Sequence, residues 1–90
     1  MADVRIICIR KPHRDSPHEH ITHVGSGATV WTREDVIGWI DRAEHTFYTL
    51  DSTGKRASVA VVRESGKQPY LRTHADGSWN NNLLALPTCG

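Results

Sequence analysis

Long hydrophobic runs are missing from this sequence. The N-terminal apolar run, Ile6-Ile7-Cys8-Ile9, has four residues, against the roughly 7–15 of a secretory core. Nothing approaches the ~18 apolar residues of a membrane span, so neither a targeting segment nor a membrane contact is expected. A surplus of one charge is missing too. Eleven Lys and Arg stand against ten Asp and Glu, a net +1 with histidine neutral, and no global field draws such a chain onto nucleic acid or an anionic membrane. There is no Asn-x-Ser/Thr acceptor. Cytoplasmic residence is therefore the expectation, with a monomer as default. Cysteine is scarce: Cys8 and Cys89 are the only two. In a reducing compartment both are expected to be free thiols, and they meet only if the two termini pack together. Catalytic signatures are also lacking. There is no Gly-x-Ser-x-Gly elbow, no P-loop and no Rossmann fingerprint. A thiol nucleophile would need a neighbouring base to lower its pKa, and no spacing here supplies one. Enzymatic activity is not expected.

What is present is enough for one domain over residues 1–90. The clearest element is a helix over about residues 32–43. Val36, Trp39, Ile40 and Ala43 fall at i, i+3, i+4 and i+7, with Ile37 widening the stripe. Thr32 suits the N-cap, and Asp35 stands in the acidic position of a capping box. Trp31 and Val36 occupy the two positions of a hydrophobic staple. Gly38 is the one discord, costing about 1 kcal/mol against Ala unless something packs close to it.

The rest reads as short strands and turns. Residues 4–10 alternate with apolar groups on both faces, as in a strand well inside a sheet. Residues 21–24 form a short strand stopped by Gly25-Ser26-Gly27, and residues 28–31 feed the helix. Residues 46–50, 56–63 and 69–73 follow as strands joined by turn formers, with 56–63 central. Asn80-Asn81-Asn82 reads as a turn that positions Leu83, Leu84 and Leu86, and this tail is expected to dock on the sheet near the first strand. The predicted class is α+β: a two-layer domain with a mostly antiparallel sheet of 4–5 strands against one amphipathic helix. A small, partly open barrel with the helix as plug is the alternative.

Several pieces carry a family resemblance in their order and spacing. They are Cys8-Ile9-Arg10-Lys11, Pro17-His18-Glu19-His20-Ile21-Thr22-His23-Val24-Gly25, Trp31-Thr32-Arg33-Glu34, His45-Thr46-Phe47-Tyr48, Tyr70-Leu71-Arg72-Thr73, Asp76-Gly77 and Asn81-Asn82-Leu83-Leu84-Ala85-Leu86-Pro87-Thr88-Cys89. Together they resemble the small, mostly bacterial family known as domain of unknown function 3892. Nearly the whole chain is covered, and the terminal Asn-Asn-Leu-Leu-x-Leu-Pro-x-Cys is the most specific part. One departure is Gly25-Ser26-Gly27, where a pair of glycines is expected. The resemblance implies a free-standing α+β domain in a bacterial cytoplasm. No activity is assigned to the family, so no catalytic or binding residue carries over.

Three constellations have functional content. The ten residues 11–20 form a long loop with two prolines and no large apolar residue. His13, His18, His20 and His23 crowd in and beside it. If a partner binds, the expected contacts are Arg10, Lys11, His13, Arg14, His18, His20 and His23. A zinc ion is the alternative: in an extended chain His18 and His20 point the same way, and Cys8 or Cys89 would add a sulfur ligand. That spacing matches no established zinc pattern, and the bland reading is a solvated loop. Single-stranded nucleic acid is the further alternative. Arg5, Arg10, Lys11, His13 and Arg14 cluster, Arg56, Arg63, Lys67 and Arg72 lie on or beside strands, and Tyr48, Tyr70 and Trp79 are not needed by the helix. The near-zero net charge argues against it. The leading expectation is a small non-catalytic binding module with no cofactor, its partner unspecified.

Overall fold

The computed structural model describes residues 2–13, 20–27, 29–75 and 77–89. Its elements in chain order are β1 (Ala2–Arg5), β2 (Cys8–Arg10), β3 (His23–Ser26), β4 (Thr29–Thr32), α1 (Arg33–Asp41), β5 (His45–Leu50), β6 (Arg56–Val62), β7 (Tyr70–Ala75) and β8 (Ser78–Asn80). The class is α+β, as the sequence indicated. Where one sheet was expected there are two: a five-stranded sheet in the order β1-β5-β6-β7-β8 and a three-stranded sheet, β2-β3-β4. The β1–β5 pairing is parallel and the others are antiparallel. β6 is central, as its run of small and branched residues suggested. No helix among the described residues is long and apolar enough to cross a membrane.

The predicted strand over residues 4–10 is shared between the sheets. Ile6 N–H donates to the Tyr48 carbonyl at 2.7 Å, and the next residue, Ile7, donates to the Gly25 carbonyl at 2.9 Å. One extended run thus leaves the first sheet at Ile6 and joins the second at Ile7, forming a corner by switching partners. Ile6 and Ile9 are buried, whereas Ile7 is 39% exposed. The apolar character on both faces reflects two partners in succession rather than one central position.

Thr32 caps α1, its hydroxyl accepting from Asp35 N–H at 3.2 Å, and Glu34 and Asp35 lie in the first turn near the positive end of the helix dipole. The helix ends earlier than the sequence suggested. Ala43, expected on the buried stripe, has φ 55° and is exposed. Glu44 N–H donates to the Trp39 carbonyl at 2.9 Å and Ala43 N–H to the Ile40 carbonyl at 3.0 Å. Those are the two bonds of a Schellman cap, with alanine where glycine is usual. At Gly38 a Cβ would lie 3.0 Å from the Arg42 guanidinium, which folds back across the helix to meet Glu44 at 2.6 Å; an exposed arginine can yield that space, so the contact does not by itself require glycine. Trp31 packs edge-on against Trp39 (5.9 Å) and Phe47 (6.1 Å), tying β4, α1 and β5 together.

Each layer adds side chains to one core: Ile6 and Ile9 from the switching run, Ile21 and Val24 at β3, Val36 from α1, Phe47, Val59 and Leu71 from the large sheet, and Leu83 from the tail. Burying Leu83 alone contributes about 2 kcal/mol. The three asparagines set its position. Thr73 Oγ1 donates to Asn80 Oδ1 at 2.5 Å and accepts from Leu83 N–H at 3.2 Å, while Asn80 Oδ1 also accepts from Asn82 N–H at 3.0 Å. They form the turn expected of them, and Ser78–Asn80 before it makes a short edge strand that the sequence pattern did not indicate. Gly77, at φ 78°, provides the tight hairpin before it.

The tail then reaches β2. Ile9 N–H donates to the Pro87 carbonyl at 3.0 Å, and Cys89 N–H donates to the Ile9 carbonyl at 2.9 Å. This brings Cys8 and Cys89 together as a disulfide. The expectation of two free thiols is thereby corrected: the termini do pack together, because Leu83 and the Ile9–Thr88 bridge deliver the tail to β2. Gly25 makes room for the bond, since a Cβ there would lie 2.6 Å from Cys8 Sγ and 2.9 Å from Cys89 Sγ.

Candidate functional site

Strand register decides which polar side chains meet. Successive residues of a strand face opposite ways, and in the five-stranded sheet Phe47, Thr49, Ala57, Val59, Leu71 and Thr73 take the inner side, all buried. Their neighbours face out. Arg5 is paired with Tyr48, Tyr48 with Ser58, Ser58 with His74, and His74 with Trp79. One residue from each strand therefore forms a continuous row across the whole outer face. At about 4.8 Å per strand the row spans roughly 19 Å.

The row carries chemistry at both ends. Trp79 is 49% exposed and meets His74 edge-on, ring centroids 5.5 Å apart, beside a hollow of about 220 Å³. At the other end the Arg56 guanidinium lies 3.9 Å over the Tyr48 ring while its Nη2 contacts Asp3 Oδ2 at 2.6 Å. Thr46 Oγ1 donates to the other Asp3 oxygen at 2.8 Å. The bond from Arg56, then that from Thr46, stabilises the charged carboxylate and holds Asp3 below its ordinary pKa. Arg72, half-buried next to the row, donates to the Asn80 carbonyl at 3.4 Å.

β5 and β6 pair only over Tyr48↔Ser58, Thr49↔Ala57 and Leu50↔Arg56. At this place a cleft of about 440 Å³ is lined by polar Asp3, Thr46, Arg56 and Ser58 and by apolar Ile40, Phe47 and Val59.

The residues singled out from sequence for binding are elsewhere. Arg10 and His23 are cross-strand partners in the three-stranded sheet, and His23 Nδ1 is 2.9 Å from Thr22 Oγ1. Lys11 is half-buried, while His13 and His20 are exposed. Arg14 and His18 lie outside the described residues. His20 shares a hollow with Arg33, Lys67 and Gln68, of which the two cations offer no lone pair to a metal. Of the zinc set, Cys8 has its sulfur bonded to Cys89 and is no thiolate ligand. Among the described residues no group of three or more His, Cys, Asp or Glu side chains is placed to hold a metal ion.

The aromatic and basic residues noted along the strands fare differently. Arg5, Tyr48, Arg56, Arg72 and Trp79 are gathered on the outer face. Arg63 is instead tied to Asp41, Lys67 lies 3.4 Å from Glu64, and Tyr70 is buried with its hydroxyl 3.3 Å from Glu64. Ser58 was not singled out from sequence, and His74 was considered only as a base for a cysteine. Alternation within β6 and β7 places each on the outward side, but only the pairing register puts them in one row.

A family model described as protein of unknown function (DUF3892) matches residues 5–87 of the chain. The chain belongs to the DUF3892 family. The match takes in both sheets and the tail up to Pro87, and it assigns no activity. No curated protein and no solved structure matches the chain.

Proposed function

We propose that this DUF3892 chain is a non-catalytic binding module that engages its partner with the outer face of the five-stranded sheet. The observation that carries this reading is the in-register row Arg5, Tyr48, Ser58, His74 and Trp79. A sheet face holding a cation, two aromatic rings and an imidazole in one row is a prepared contact surface. Arg5, Ser58 and Trp79 on it are exposed. Trp79 in particular has no fold-level reason to stand half in solvent, whereas Trp31 and Trp39 are packed into the core.

A photo-crosslinking side chain placed at Ser58, which is exposed in the middle of the row, tests the reading in living cells. Adducts from position 58 that are absent from position 53, on the hairpin tip, are the expected result. Equal labelling at both positions would refute it. Compartment is a separate matter. Cytoplasmic residence keeps both cysteines reduced, whereas a persistent disulfide belongs to an oxidising environment. Alkylation of freshly denatured cells reads the difference: two blocked thiols support the cytoplasm, and none refutes it.

A further inference from the structure

We infer that the partner of this face is single-stranded nucleic acid, an inference that rests on the outer face being the binding surface. Charge is the first argument. The five strands contain three arginines, Arg5, Arg56 and Arg72, and a single acidic residue, Asp3. The ten acidic residues of the chain are thus largely kept off this sheet, although they almost cancel the basic ones overall. Local sign, not net charge, is what a phosphate chain meets at contact range, because exposed charges beyond about 8–10 Å are screened at physiological salt. With Asp3 ion-paired to Arg56, Arg5 and Arg72 are left as the charges that the strands themselves bring to this face, and both are positive.

Stacking surface is the second argument. Single strands present unpaired bases that stack on aromatic rings and on arginine planes. Trp79 offers its indole at one end of the row. At the other end the guanidinium of Arg56 lies on the Tyr48 ring, and base stacking there falls on the arginine plane with the tyrosine behind it. Ser58 and His74 between them supply hydrogen-bonding groups without bulk. A duplex groove is entered by a helix or a two-stranded ribbon, and α1 packs on the inner side of the sheet, whereas a single strand can lie across the outer face with bases down and phosphates toward Arg5 and Arg72. An acidic protein surface would use the arginines but would leave both stacking ends unexplained.

The test uses the intact chain and 12-nucleotide fluorescein-labelled oligo-dT and oligo-U, with binding followed by anisotropy. Binding at 50 mM salt that weakens about 7-fold at 200 mM is expected, the slope of roughly −1.4 for two phosphate contacts. Trp79→Ala weakens binding about 10-fold or more, and Arg5→Ala together with Arg72→Ala flattens the salt slope. Trp79 is half exposed, so its variant keeps the wild-type melt, which separates lost stacking from lost fold. Absence of binding to both oligonucleotides, or binding indifferent to all three substitutions, overturns the inference. Nuclease treatment of the position-58 adducts divides the two levels of the argument. Adducts that collapse with nuclease support both. Adducts that resist nuclease but fall to protease leave the face as a binding surface and remove nucleic acid as its partner.

Discussion

The three-stranded sheet is closed on its outer edge by the tail, with Thr88 bridged to Ile9 and Cys89 bonded to Cys8, and its middle strand buries Val24 and Gly25 completely or nearly so. The five-stranded sheet buries one side under α1 and leaves the other bearing Arg5, Arg56, Arg72 and Trp79. The chain's one disulfide is on the smaller sheet. The larger sheet has five strands and a helix-covered face, well beyond the minimum for independent stability, whereas the smaller has three strands of only three or four residues each. The difference shows which part of the molecule is free to present chemistry. A sheet that depends on being covered cannot also offer a face, and the histidine-bearing loop that first attracts the eye emerges from the covered one.

The largest expected effect comes from breaking the staple. Cys8 and Cys89 are 81 residues apart, and in the chain-entropy model closing a loop of that length contributes about 4–5 kcal/mol. That is a large part of the roughly 5–15 kcal/mol typical of a whole domain. Cys8→Ser with Cys89→Ser, or reductant on the native chain, should lower the urea midpoint accordingly while leaving oligonucleotide affinity per folded molecule unchanged. A loss below about 1 kcal/mol would mean that Leu83 and the Ile9 hydrogen bonds hold the tail alone.

A smaller effect sharpens the same contrast. Gly25→Ala requires a Cβ where Cys8 Sγ, Cys89 Sγ and Val30 Cγ2 already lie at 2.6, 2.9 and 3.2 Å. Overpacking of this kind costs about 1–3 kcal/mol. With Cys8→Ala and Cys89→Ala in place the two sulfurs are gone and most of that cost should go with them. A double-mutant cycle by denaturant titration measures the coupling, and a cost unchanged by removing the sulfurs would mean that Gly25 serves the strand rather than the disulfide.

Much of this was legible before the structure. The helix, its Thr32 cap, the central place of β6 and the docking of the tail all follow from local pattern, because period and capping chemistry act over a few residues. What failed was non-local. Residues 4–10 read as one strand because alternation does not record which partner each half finds. Cys8 and Cys89 were expected as thiols from the presumed reducing compartment, and their spacing says nothing about whether the termini meet. Gly25 and Ser26 looked like a turn, since a glycine kept for space next to a sulfur is indistinguishable in sequence from one kept for its backbone freedom. The binding face shows the same limit. Its arginines and aromatics were noted one by one, but Arg5 and Trp79 are 74 positions apart, and only register across four strand pairs puts them in a single row.

The smallest effect on stability and the sharpest on the open face meet in Asp3→Asn. Asp3 is the one carboxylate in the five strands, and it is held below its ordinary pKa chiefly by Arg56. A carboxyl whose folded pKa is depressed stabilises the fold at pH above its unfolded value of about 3.9, and that contribution is lost as pH falls through the lower folded value. Thermal melts of the wild type should therefore drop more steeply than those of Asp3→Asn below about pH 4, and the two should nearly coincide at pH 7, because exposed ion pairs contribute little. Binding should move the other way. Without its carboxylate partner Arg56 keeps its seat on Tyr48 but directs its full charge outward, so oligo-dT should bind more tightly to Asp3→Asn than to wild type, by a margin that shrinks as salt rises. If instead the affinity falls, Asp3 is orienting Arg56 for its ligand and the pair acts as one recognition unit. Anisotropy at two salt concentrations separates the two outcomes, since orientation is insensitive to screening and charge is not.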